Sequence, residues 1–166
     1  MLPQLLDLFQ IVSGNVPIDL GAGALTGDYV SLKNYHTCSI LFFKDVGTTD
    51  EDTTLTLRQA KTVAGGSVKD LTFNRYGYKS GADLAAVGTF TRVTDNNAAT
   101  LVLEGELQKI VITEVPVREM DIANGFDCIT LTTSDPGTTG ADLGCFLYFL
   151  GSPRFDQSTL PSAIVD

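Results

Sequence analysis

Runs of strand length in which apolar and polar residues alternate, broken by clusters of glycine, asparagine, aspartate and threonine, most narrow what this chain can fold into. The run Thr37-Cys38-Ser39-Ile40-Leu41-Phe42-Phe43 puts Cys38, Ile40 and Phe42 on one face, with Thr37 and Ser39 opening the other. The run Thr54-Leu55-Thr56-Leu57-Arg58-Gln59-Ala60 sets Leu55 and Leu57 against Thr54, Thr56 and Arg58, the pattern of an antiparallel strand with one wet face. Between them, Lys44 to Thr53 is too charged to bury and too rich in turn formers to extend either run. The two runs are therefore expected to face each other as a hairpin.

The same reading extends along the chain. Leu2, Leu5, Leu6, Phe9 and Val12 fall at helical spacing, which predicts a short amphipathic helix or an apolar arm. Residues 13–27 carry Gly14, Pro17, Gly21, Gly23 and Gly27 and read as an extended, irregular connector. Gly21-Ala22-Gly23 has the spacing of a nucleotide loop, but Thr26 stands where the third glycine belongs and no βαβ unit follows. Further strands are expected at residues 29–32, 70–76, 87–93, 100–103, 108–114, 126–132 and 145–150. Residues 76–81 read as a loop bearing Tyr76 and Tyr78, and Asp95-Asn96-Asn97 as a hairpin turn, because Asn and Asp tolerate positive φ. Pro116 ends a strand, and residues 117–124 read as a turn or a single helical turn closed by Gly125.

About eight or nine short strands at intervals of roughly 8 to 16 residues predict an all-β, two-sheet antiparallel sandwich. The strand number suits a jelly roll, with a barrel or an immunoglobulin-like sandwich left open. The expected division is an N-terminal arm and connector (1–28), a sandwich domain (29–156) and a C-terminal tail (157–166) running over the surface. The run from Cys145 to Leu150, apolar on both faces, reads as a central strand or one sealed by a partner.

Only 19% of the residues are charged, so Thr, Ser, Asn and Gly serve most of the surface, as expected of a chain facing other protein. The balance of 11 basic to 20 acidic residues, a net charge of −9, opposes contact with a phosphate backbone, and the basic residues are scattered in sequence. No direct nucleic-acid partner is expected. Nor is a membrane partner, since no run has the length and apolarity to span a bilayer, and the N-terminal run lacks a basic region and is interrupted by Asp7. Cys38, Cys128 and Cys145 lack the spacing of a zinc site or a disulfide framework and read as buried thiols.

No pattern of catalytic residues stands out. His36, the single histidine, has no Ser or Cys motif near it in sequence, and Glu104 and Glu106 flank Gly105 as solvated turn carboxylates. Asp45, Asp50, Glu51 and Asp52 form the densest set of oxygen ligands, a conceivable calcium loop without the EF-hand spacing. An acidic, solvated loop with no metal is the expectation, and no cofactor is expected. Tyr76 and Tyr78 would suit a sugar ring, but the chain has no tryptophan, and packing at a subunit contact serves equally.

Three stretches resemble small structural proteins of tailed-bacteriophage virions. They are Tyr29-Val30-Ser31-Leu32-Lys33-Asn34-Tyr35-His36 with the strand, acidic loop and Thr54–Ala60 run that follow; Val115-Pro116-Val117-Arg118-Glu119-Met120-Asp121 before a strand; and Leu150-Gly151-Ser152-Pro153-Arg154-Phe155. The resemblance covers residues 29–156 and lies in general arrangement, with no short diagnostic motif. It implies a non-enzymatic capsid decoration or cement protein on the exterior of the virion, with the major capsid protein and copies of itself, as a homotrimer, as partners. Interface residues expected on that reading are Leu2, Leu5, Leu6, Phe9, Tyr76, Tyr78, Arg154 and Phe155. The alternatives are another virion component of the tail, connector or fibre, and a carbohydrate- or calcium-binding sandwich module.

Overall fold

The structure, a computed structural model, describes residues 4–137, 142–155 and 159–165. It is an all-β sandwich of two packed antiparallel sheets preceded by one short helical turn, α1 (Leu5–Leu8). The first sheet, A, holds β1 (Phe9–Asp19), β4 (Tyr35–Lys44), β7 (Arg75–Gly81), β8 (Thr91–Thr94), β10 (Gln108–Pro116) and β12 (Leu143–Pro153). Their order across the sheet is β1-β12-β4-β10-β7-β8. The second sheet, B, contains β2 (Leu25–Thr26), β5 (Thr53–Ala60), β6 (Lys69–Asp70) and β11 (Cys128–Thr133) in the order β2-β11-β5-β6. β3 (Val30–Ser31) also pairs with β11, and β9 (Thr100–Leu103) with β5.

The faces assigned by alternation are the faces that bury. Cys38, Ile40 and Phe42 of β4 and Leu55 and Leu57 of β5 are at most 1% exposed, and they meet Phe146, Tyr148 and Leu150 of β12 in the core. The expected hairpin, however, does not form. β4 pairs with β10 and β12 in sheet A, whereas β5 pairs with β6, β9 and β11 in sheet B, so residues 45–52 cross the sandwich. A sandwich stacks its sheets about 10 Å apart, and two strands facing across that gap bury the same residues as two strands side by side. Residues 95–99 behave likewise, leading from β8 in sheet A to β9 in sheet B, although Asp95 does adopt the positive φ, 57°, expected of it.

Other expectations are corrected at the chain ends and in the 70s. Only Leu5–Leu8 of the N-terminal run is helical, and residues expected as arm and connector supply the edge strand β1, antiparallel to β12 from Phe9↔Gly151 to Asp19↔Leu143. Helical spacing of apolar residues gives way here to the ladder that β12 offers. β1 is interrupted by register shifts between Ser13 and Ile18, around Gly14 and Pro17, and such irregularities protect an edge from pairing with another chain. Tyr76 and Tyr78 lie on β7, not on a loop, while Leu71 and Phe73 are buried without belonging to a strand. The described part of the C-terminal tail is anchored: Ala163 is 1% exposed, its carbonyl accepts from Ser31 N (2.7 Å), and the Tyr35 hydroxyl donates to Pro161 O.

One side chain joins the two sheets. β2 and β3 pair with opposite ends of β11, and the chain between them leaves the ladder at residues 27–29. The buried Tyr148 hydroxyl, projecting from sheet A, fills that gap: it accepts from Leu131 N (3.3 Å), donates to Asp28 O (2.8 Å) and lies 3.1 Å from Thr130 Oγ1. Next to it the Phe146 ring packs between Gly14 and Gly27, where an added Cβ would fall 2.2 Å from a ring carbon. Tyr148→Phe, which keeps the ring and removes the hydroxyl, is expected to lower the free energy of unfolding by roughly 1–3 kcal/mol in urea titration, because Leu131 N–H and Asp28 C=O lose a buried partner.

Candidate interaction surface

The two sheets present opposite chemistry to the outside. On sheet B, β5 turns Thr54, Thr56 and Arg58 outward, the polar face usual for an antiparallel sheet. On sheet A the outward residues are mostly apolar across four adjacent strands. Register sets them in rows: Ile11 beside Phe149; Leu147 beside Leu41 beside Ile112; Cys145 beside Phe43 beside Ile110. Phe9 packs edge-on against Phe149, with centroids 6.3 Å apart. These side chains are partly covered by one another, and Phe43 at 40% and Leu143 at 47% remain well exposed. Within the block from Phe9 to Phe43, Glu114 is the one charged side chain among the described residues.

Shallow cavities flank this strip. One, of 530 Å³, lies at the β7–β8 edge, where Gly77 leaves space between Arg92 and Ile112, and Phe90 and Arg75 form walls. Here the fold gathers basic residues scattered in sequence: Arg75 donates to Glu119 (2.6 Å), and Lys79 Nζ lies 5.0 Å from the centre of the Phe90 ring. The other cavity, of 430 Å³, lies beside α1 and is lined by Asp7, Phe9, Ser39 and Glu114. Glu114 borders both, so strip and cavities form one continuous outer face.

The expected interface residues divide. Leu5 and Leu6 are exposed on α1, and Phe9 belongs to the apolar strip. Leu2 lies outside the described residues. Tyr76 and Tyr78 point the other way, their rings 6.1 Å apart and packed on the core, so neither offers an open platform for a sugar. Phe155 is 62% exposed, while Arg154 is tied to the loop before β4 through Asn34 O (2.9 Å) and Tyr35 O (3.3 Å). Leu147 belongs to the Cys145–Leu150 run that reads as central or sealed by a partner, while sequence reasoning missed Leu41, Phe43, Ile110 and Ile112. Their signal was present as apolar residues at the polar positions of otherwise alternating strands.

The remaining candidates do not converge on a reactive site. His36 is exposed on β4, and Glu104 and Glu106 are both exposed in the turn between β9 and β10, where no strand face aligns them and Glu104 pairs with Lys109. Cys38 and Cys128 are buried, and burial pushes the Cys38 thiol far up. Cys145 is instead part of the outer strip. Among the described residues no group of three or more His, Cys, Asp or Glu side chains could hold a metal ion, and no helix is long and apolar enough to cross a membrane.

The acidic loop is organised by hydrogen bonds to backbone amides and Gln108, beside two buried lysines. Asp45 accepts from Val46 N and Gln108 Nε2, each 2.8 Å away, and these bonds hold its carboxyl below the usual range. Asp52 accepts from Gly105 N (3.0 Å), Glu51 turns its carboxylate toward Gly137, and Asp50 sits at φ 65° in the turn. Lys44, fully buried, faces the buried Asp142 at 3.2 Å. Lys109, directly across the ladder from Lys44, is also buried; burial and the Lys44 charge lower its pKa. Burial raises the Asp142 carboxyl, against the pull of Lys44.

Breaking a buried pair strands the remaining charge, so Asp142→Asn is expected to cost about 3–5 kcal/mol in equilibrium urea unfolding. Calcium and chelators are expected to leave the melting temperature unchanged; a calcium-dependent rise would show that the loop takes a cation from solution. Comparison of the chain with protein-family models, with curated proteins and with solved structures found no match.

Proposed function

We propose that this chain is a non-enzymatic structural protein that docks through the outer face of sheet A, as an auxiliary decoration or cement protein on the exterior of a tailed-bacteriophage capsid. The observation that carries the docking role is the contrast between the faces: Leu41, Phe43, Ile110, Ile112, Leu147 and Phe149 outside one sheet, mainly threonines with Arg58 and Val102 outside the other. An antiparallel sheet needs only one apolar face to make its core, so a second one is a surface for other protein. The capsid context rests on the resemblance of residues 29–156 to virion structural proteins, and on that reading the partners are the major capsid protein and further copies of this chain.

The size of the strip bears on how it would act. Four strands roughly 4.8 Å apart and about seven residues long span on the order of 400 Å². Each partner in a stable pair buries about 800 Å². A single contact of this kind is weak, and repetition over a lattice makes it persistent, because every further contact forms at high effective concentration. The action is mechanical: subunits held at several points separate less readily under internal pressure.

Purified protein is expected to co-sediment with expanded, empty phage capsids and to raise their disruption temperature; absence of binding would remove the proposal. Leu147→Asp and Ile112→Asp, on the outer face of sheet A, are expected to abolish that binding while the isolated protein keeps a cooperative melt. Thr54→Asp and Thr56→Asp, on the outer face of sheet B, are expected to leave it unchanged.

A further inference from the structure

Lys44 lies at the end of β4, on the core side of sheet A and out of contact with water. Its ammonium group is enclosed by oxygens from three separate segments. Nζ donates to the carbonyls of Asp45 (2.8 Å), Gly105 (3.0 Å) and Leu107 (3.2 Å). An ammonium has three N–H bonds, and these carbonyls use all of them. The Asp142 Oδ1 therefore stands 3.2 Å from Nζ without a hydrogen bond of its own, and supplies the balancing charge.

The enclosure is held by contacts independent of the lysine. Gly105 O also accepts from Gly47 N (2.8 Å), and Asp52 fixes Gly105 N (3.0 Å). A Cβ at Gly105 would lie 2.2 Å from Thr48 O, so only glycine lets the loops close. Asp142 is fixed by Thr53 Oγ1 (3.2 Å), and its backbone N donates to Asp19 (3.0 Å) while its carbonyl accepts from Leu20 N (2.8 Å). Converging backbone carbonyls with one carboxylate are the ligand set that replaces the water shell of potassium or ammonium.

We propose that the loop end of the sandwich is a binding site for a monovalent cation of the ammonium or potassium type, and that the chain fills it with the tethered ammonium of Lys44. Emptied of its lysine, the site takes such a cation from solution. In this view the charge balanced at the site is that of Asp142, and the loop contributes the Asp45 backbone carbonyl.

Lys44→Ala removes the side-chain atoms of n-propylammonium, which serves as the probe. At constant ionic strength made up with choline, the variant is expected to melt below wild type. Added n-propylammonium is expected to restore the melting temperature saturably, with ammonium and potassium restoring it in part and lithium not at all. n-Propanol, which fills the same space without charge, is expected to leave it unrestored, and wild type to respond to none of these. Combining Lys44→Ala with Asp142→Asn is expected to weaken the n-propylammonium response at least tenfold. Equal behaviour in choline, n-propylammonium and n-propanol would overturn the site, as would a Lys44→Met variant as stable as wild type. If Lys44→Ala does not fold in choline, refolding yield in each cation is the readout, and equal yields overturn it.

Discussion

β12 carries apolar side chains on both of its faces, and the two faces meet different surroundings. The inner set, Phe146, Tyr148 and Leu150, is covered by sheet B and forms the centre of the core. The outer set, Cys145, Leu147 and Phe149, is joined by Leu41 and Phe43 of β4 and by Ile110 and Ile112 of β10, with no other described segment laid over it. Burial of apolar area is worth about 25 cal/mol per Å², so a strip of this kind is a standing driving force for association. Inner and outer sets are thus one arrangement with two consequences: the inner fixes the sandwich and the outer leaves it an apolar outer strip.

Two places in the core are completed by different means. Near the middle of β11, the ladder is interrupted and the Tyr148 hydroxyl stands in for the missing strand. At the loop end, Lys44 and Lys109 lie inside the molecule and draw Asp142, Glu104 and three backbone carbonyls around them. Buried charges are costly unless paired and bonded, so this end is specified by polar geometry and not by apolar packing. On the outside of sheet A from β12 across to β8, by contrast, charge is confined to Glu114 and to the arginines and lysine of the β7–β8 edge among the described residues.

Much of the candidate site was legible locally but not as a surface. Leu41, Phe43, Ile110 and Ile112 are visible in the sequence as apolar residues out of phase with their strands. Only the register Leu147↔Leu41↔Ile112 shows that they adjoin. Arg75, Lys79 and Arg92 read as scattered for the same reason, and antiparallel pairing of β7 with β8 brings them to one edge. Tyr76 and Tyr78, prominent in a segment that reads as a loop, turn inward because β7 pairs with β10 and places them opposite Thr113 and Val111 on the core side.

The sequence by itself determined the all-β class, the inward residues of β4 and β5, the turn at Pro116 to Gly125 and the left-handed residue at Asp95, because each depends on period-two alternation or on the φ preference of a single residue. Tertiary structure alone decided that β4 and β5 belong to different sheets, that β1 is a strand, that Ala163 is core and that Lys44 is buried against Asp142. Alternation tells a side chain which way to face but not which strand lies beside it. Neighbours are chosen by hydrogen-bond ladders and charge pairs between residues as far apart as Lys44 and Asp142, and no local pattern records that choice.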